Sequence, residues 1–269
     1  MIAFRTHFAF EFKTGLRNAT LLMMNYLFPL GFYALIGLIM VQINPFFREM
    51  MLPAMVIFVA MASLLLGLPS PLVEQREAGI FRTYKINGVP AFSILAIPTL
   101  TTIVHAIIAS TIIVVTAAPL FGAVRPANWA SFGLISLLAI LTFGALGALI
   151  GVVSANSRAT VLWSQLIFLP SMLIGGLMVP LSVLPKAILP FAALLPSARA
   201  MQAYAGFAYS APTVFDPAIS IAVLAATGVL AAGLAIYLFD WDRVNRTRRG
   251  HPLMALLVLV PAVIGLFLG

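Results

Sequence analysis

From Ile86 to Val124 the chain runs for 39 residues without an aspartate, glutamate, lysine or arginine, and shorter runs of the same kind recur along it. About 20 apolar residues carry a helix across the hydrocarbon core of a bilayer. There is no water in that core to satisfy the backbone, so each crossing segment must make its own hydrogen bonds, as a helix does. The runs therefore predict an all-α integral membrane protein. Composition agrees: 62% of the 269 residues are hydrophobic and 8% are charged, against roughly 25% charged in soluble domains. A soluble globule of this size still exposes much of its surface and has no interior for so much apolar material.

Stretches free of lysine and arginine place six spans at about residues 21–43, 52–72, 91–121, 129–153, 159–179 and 218–239. The third is longer than a crossing needs, so it tilts, protrudes or kinks, with Pro98 as the kink point. A further apolar segment, Leu253 to Leu268, holds Pro261 and is at the short limit for a seventh crossing. The 15 Lys+Arg and 7 Asp+Glu leave a net charge of +8. That excess falls in short clusters between apolar runs, the pattern of loops held on the cytoplasmic, anionic-lipid side. Membrane lipid is therefore the expected partner of the charge, and no nucleic acid.

With the N-terminus cytoplasmic, the inner segments hold Arg5, Lys13, Arg17, Arg76, Arg82, Lys85, Arg158, Arg243, Arg246, Arg248 and Arg249. The outer ones hold only Arg48, Arg125, Lys186 and Arg199. Ahead of the first span, Ile2, Phe4, Phe8, Ala9, Phe12 and Leu16 share one helical face, and Thr6, His7, Glu11, Lys13, Thr14 and Arg17 the other. This predicts an amphipathic helix in the membrane interface. The first twenty residues are too polar for a cleaved signal peptide.

Six prolines (Pro180, Pro185, Pro190, Pro196, Pro212 and Pro217) interrupt the apolar stretch after the fifth span. Proline removes a backbone donor and stops helices, so no straight span fits. Non-helical backbone at membrane depth persists only under cover of protein or a water-filled cavity. Leu181 to Tyr209 is accordingly expected to be a helical hairpin re-entering from the outer face. In the fourth span, Gly147 and Gly151 have the four-residue spacing that lets helices approach closely.

The chemistry of enzymes is sparse. The sequence has no Gly-x-x-x-x-Gly-Lys-Ser/Thr phosphate loop, no Gly-x-Ser-x-Gly elbow and no His-Glu-x-x-His pair. It has no cysteine, and its three histidines are scattered. No catalytic residue, metal or cofactor is expected. His105 is the acid/base side chain inside a span, and intramembrane ionisable groups are candidates for a transport path; a neutral histidine bonded to a neighbouring helix is an equally simple reading. Buried carboxylates of the kind that couple transport to an ion gradient are missing, since Asp216 and Asp240 stand at span ends and Glu49 in a loop.

The most informative stretch follows the second span: Glu74-Gln75-Arg76-Glu77-Ala78-Gly79-Ile80-Phe81-Arg82, with Pro90 opening the third. Mixed charge interleaved with apolar residues suits a short helix along the cytoplasmic face. The segment resembles the Glu-Arg/Lys-Glu-x-Gly-Thr-Leu signature of permease subunits of the type-2 ABC exporter family. Arg76, Glu77 and Gly79 hold its most characteristic positions, while Ile80 and Phe81 replace Thr-Leu. A second resemblance, to the family's re-entrant region, lies in Gly175-Gly176, Pro180, Leu184-Pro185 and Pro196. The resemblance covers about residues 1–245, leaving 246–269 as a basic linker and possible seventh span where the family usually ends in a short tail.

What the resemblance implies is a six-span permease bundle in a prokaryotic plasma membrane, paired with a second permease chain, commonly a homodimer. A separate ABC ATPase would bind ATP and Mg. The segment Glu74 to Arg82 would dock on that ATPase and transmit its closure. Export is the implied direction, with a drug or lipid as the suggested cargo. A transporter driven by an ion gradient is the alternative, and it would put His105 at the centre.

Overall fold

The computed structural model describes residues 2–44, 47–241 and 250–268, with the backbone alone for residues 2–7 and 10. Every regular element among these residues is helical. Helix α1 is Ile2–Arg17. Asn18 then caps the next helix by accepting from the N–H groups of Thr20 and Leu21, supplying partners that a helix start otherwise lacks. There follow α2 (Ala19–Ile43), α3 (Phe47–Glu77), α4 (Ile80–Ile86), α5 (Ala91–Phe121) and α6 (Trp129–Val153). The chain continues with α7 (Ser157–Ile174), α8 (Leu189–Ala193), α9 (Pro196–Ala203), α10 (Pro217–Tyr237) and α11 (Pro252–Leu268).

Helices α2, α3, α5, α6 and α10 are long and apolar enough to cross a membrane. Helix α7 has 18 residues, but Arg158, Ser164 and Gln165 hold it below the hydropathy of those five. Two boundaries differ from the sequence expectation. Helix α3 begins at Phe47 and continues through the charged Glu74–Glu77 turn, so part of the expected surface loop is an extension of the span. Helix α7 stops at Ile174 rather than near Val179, because Gly176 takes φ +85°, a conformation that glycine adopts without steric cost. Helix α5 continues through Pro98 without interruption.

Helix α3 is the hub. Its most apolar stretch is 94% buried, against 28 to 72% in the other four. The run Met51 to Met61 has no polar side, and a helix apolar all round belongs inside. Phe58 stacks on Phe32 of α2 with ring centroids 4.1 Å apart and meets Phe168 of α7 at 5.8 Å. Helix α6 closes on α3 through its glycines, as the small-residue spacing anticipates. A Cβ on Gly147 would fall 1.9 Å from the Leu64 carbonyl oxygen, and one on Gly151 2.9 Å from Leu72. Side-chain hydroxyls tie the remaining pairs. Tyr33 meets Thr116 at 2.9 Å, Ser70 meets Thr160 at 2.9 Å, and Thr142 donates to the Leu224 carbonyl at 3.1 Å.

The bundle has two distinct ends. At one, Arg76 reaches the carbonyls closing α6. At the other, the N–H of Val124 bonds the Arg48 carbonyl at 3.0 Å and that of Asn128 bonds the Ala208 carbonyl at 3.0 Å. The segment 181–209 lies at this second end. It consists of a 3-10 turn (Leu181–Val183), α8, α9 and a wide π turn (Tyr204–Ala208). Every residue from Ser197 to Ala203 is buried, so this stretch is part of the packed bundle. Helix α11 is 3-10 over Pro252–Leu259 and α over Val260–Leu268, and it lies against α10. The expected basic linker Arg243–Arg249, with the boundary at 245, lies outside the described residues.

Candidate functional site

At the first end, Gly79 takes φ +73° and separates α3 from α4. No atom would lie within 4 Å of a Cβ there, so the glycine serves the backbone turn rather than a close contact. Glu74, Glu77, Ala78 and Arg82 are exposed, Ile80 is 38% exposed, and Gln75 and Gly79 are half-buried. Arg76 turns the other way. Its guanidinium donates to the Val152 carbonyl at 2.8 Å and to the Ser154 carbonyl, the last carbonyls of α6 and its cap. A cation suits a helix C-terminus because the unsatisfied carbonyls there carry partial negative charge.

Phe81 is the anchor of α4. It is 2% exposed and faces Phe239 at 5.8 Å, and Phe239 in turn meets Trp241 at 5.3 Å. Lys85 Nζ stands 5.9 Å from the Trp241 ring. On the side of α1, burial first and then the Glu11 carboxylate push the Tyr84 phenol above its ordinary value, so it stays a neutral donor. The corner between α3 and α4 is thus braced at two points, by Arg76 of α3 on the end of α6 and by Phe81 of α4 on the residues that follow α10. The outward face of this corner combines Glu74 and Glu77 of α3 with Arg82, Ile80 and Ile86 of α4, the last 79% exposed.

The glycines and prolines singled out after α7 form a second cluster. A Cβ on Gly175 would lie 2.3 Å from Ser197 Oγ and 2.4 Å from the Ser171 carbonyl oxygen, so this residue lets α9 seat against the end of α7. Pro180 precedes the 3-10 turn and Pro196 opens α9, where its missing N–H costs nothing. Pro185 lies in the turn between Leu184 and α8, its carbonyl accepting from Ile188 at 2.9 Å. His105 belongs to neither cluster. It is buried in α5, where Tyr26 and Phe12 pack on it. Among the described residues no group of three or more His, Cys, Asp and Glu is placed to hold a metal ion.

A profile of the ABC-2 type transporter family matches residues 2–209. The chain belongs to that family. The match opens with α1, takes in α4 and its exposed face, and closes at the end of the π turn. It is shorter than the stretch 1–245 that the sequence motifs suggested, leaving α10 and α11 beyond it. No curated protein and no solved structure matches the chain. As a member of the ABC-2 family it is a multi-pass membrane permease of the ABC transporters, and the matched domain is a permease domain rather than an ATPase.

Sequence reasoning located α4 but missed what holds it. Phe239, Trp241 and Glu11 are far away in the chain, and nothing local to Phe81 marks them as partners. It also counted Arg199 among the charges of the outer side, within the expected hairpin, without anticipating that the side chain is 1% exposed.

Proposed function

We propose that this permease forms the translocation path of an ATP-driven exporter, in which a separate ABC ATPase docks on the segment Glu74 to Arg82. The carrying observation is the bracing of the α3–α4 corner. A load applied to its exposed face reaches α6 through Arg76 of α3 and the residues after α10 through Phe81 of α4. A docking surface built of mixed charge gives specific, reversible association, and Glu74, Glu77 and Arg82 present such a surface. ATP and Mg belong to the ATPase in this scheme, and the permease contributes no cofactor.

A second permease chain completes the path about a two-fold axis, most simply as a homodimer in a prokaryotic plasma membrane, with the α4 end cytoplasmic as the excess of basic residues there favours. Alternating exposure is then a rigid-body movement between two packings, biased by ATP. The apolar walls suit an amphipathic or apolar cargo such as a drug or lipid. Co-purification with the ABC ATPases encoded in the same genome tests the scheme. Capture of one ATPase, lost in Glu77→Arg, is the expected result. Capture of none, under conditions where a known exporter pair survives, overturns it in favour of a gradient-driven transporter.

A further inference from the structure

Arg199 is the one arginine among the described residues that is fully enclosed, at 1% exposure. Its Nε donates to the Ala193 carbonyl at 2.9 Å, and the guanidinium carbon lies 5.0 Å from the centre of the Phe215 ring. Nη1 and Nη2 have no hydrogen-bond partner. Between residues 180 and 239 the only acid is Asp216, and its carboxylate is engaged in capping α10, accepting from Ala218 at 2.8 Å and Ile219 at 2.9 Å. A buried guanidinium with two free donor nitrogens is costly unless an anion meets it.

The free end of Arg199 faces a cavity of about 160 Å³ whose wall includes Lys186, Leu189, Pro190, Phe215 and Gly265. Gly265 of α11 leaves room for it: a Cβ there would stand 3.1 Å from Nη2. Lys186 is exposed at the rim. The cavity is thus lined by one buried fork of donors, one exposed cation and otherwise apolar walls. A planar guanidinium fork matches the oxygens of a carboxylate or phosphate, and an ammonium adds an unoriented charge. The volume suits a small oxyanion rather than a whole amphiphile, and the apolar walls suit an oxyanion carried on an apolar body.

We infer that Arg199, with Lys186 at the rim, forms an anion site at the end of the bundle opposite α4, and that the site takes the phosphate or carboxylate head of an amphiphile. The site stands whether or not an ATPase drives the permease.

The test uses the full chain in mixed micelles containing phosphatidylglycerol, the phosphate-free lipid diacylglycerol, or diacylglycerol plus inorganic phosphate. The readouts are the thermal midpoint and, by native mass spectrometry, retained lipid. Phosphatidylglycerol is expected to raise the midpoint over diacylglycerol and to be retained. Arg199→Gln should abolish both effects, and Lys186→Gln should weaken retention, by about ten-fold at most for an exposed charge-assisted contact. Inorganic phosphate reproducing the shift in an Arg199-dependent way supports the anion site and makes its source a free anion. A phosphatidylglycerol effect that survives both substitutions, or no effect of either anion on the unmodified chain, overturns the inference. Should Arg199→Gln fail to fold, Lys186→Gln at its exposed position decides between the same outcomes.

Discussion

The Tyr26 hydroxyl lies 2.7 Å from Nδ1 of His105, while the other face of the contact is closed by Phe12, whose ring stacks on the imidazole at 4.4 Å and 5°. His105 therefore joins α1, α2 and α5. Its Nε2 sits where a Cβ on Gly15 would come within 2.7 Å. A side chain packed this tightly acts as a spacer. His105→Phe keeps the stack and gives up the Tyr26 bond, so it should alter stability by only about 1 kcal/mol, the net worth of that bond. His105→Ala opens a cavity and should cost roughly 2–3 kcal/mol. Thermal unfolding in detergent checks both. Transport by His105→Phe should persist; its complete loss, with stability intact, would instead make His105 a proton-handling group.

Two glycines should respond very differently to alanine. Gly79→Ala meets open space but must hold φ +73°, a left-handed conformation costing about 1–2 kcal/mol. Gly147→Ala drives a methyl into the Leu64 carbonyl at 1.9 Å, and only a shift of α6 away from α3 relieves it. That change should cost about 3 kcal/mol, the upper part of the overpacking range. Size-exclusion profiles after mild heating should show Gly147→Ala aggregating first.

The crossing helices were legible because hydrophobic length is a property of a single segment. The buried hub α3 was legible for the same reason, since Met51 to Met61 offers no polar face. The glycine spacing at Gly147 and Gly151 also read correctly, because close approach needs only that no side chain intervene. Properties depending on two distant segments were hidden. Charge counting assigns Arg199 to the outer side and says nothing of its burial, yet Phe215 and Gly265 enclose it from other parts of the chain. Likewise the sequence around Phe81 suggests a surface helix and says nothing of Phe239. The end of α7 was misjudged because hydropathy continues past Gly176 while backbone geometry does not.

Within the segment Glu74 to Arg82 the structure separates two kinds of residue. Arg76 faces inward to the carbonyls of Val152 and Ser154, and Glu77 faces outward. Arg76→Ala forfeits two charge-assisted hydrogen bonds, each worth roughly 1.5–3 kcal/mol, and loosens the end of α3 from α6. In the proposed exporter an ATPase should still be captured by Arg76→Ala, with its permease-dependent ATP hydrolysis lost. Glu77→Arg should lose capture of the ATPase. Pull-down and ATPase assays on the same preparations distinguish the two, and identical behaviour of both variants would refute the division of labour.

The path of α11 sets where its end emerges. Its first residues, Pro252 and Leu253, border a cleft shared with Val153 and Ala159, which lie at the α4 end. Its Gly265 stands beside Arg199 at the opposite end. Eight residues of 3-10 helix and nine of α-helix, at about 2.0 and 1.5 Å per residue, give roughly 30 Å of rise. That equals the thickness of a hydrocarbon core, about 30 Å, so a segment too short to cross as a pure α-helix reaches across when half of it is stretched. We therefore expect α11 to be a seventh crossing. The chain has no cysteine, so single replacements report topology without further engineering. Ala78→Cys, Ser182→Cys and Leu268→Cys occupy exposed positions. In sealed vesicles a membrane-impermeant maleimide should label Leu268→Cys from the same side as Ser182→Cys and from the side opposite Ala78→Cys. Labelling of Leu268→Cys together with Ala78→Cys would mean that α11 turns back within the membrane.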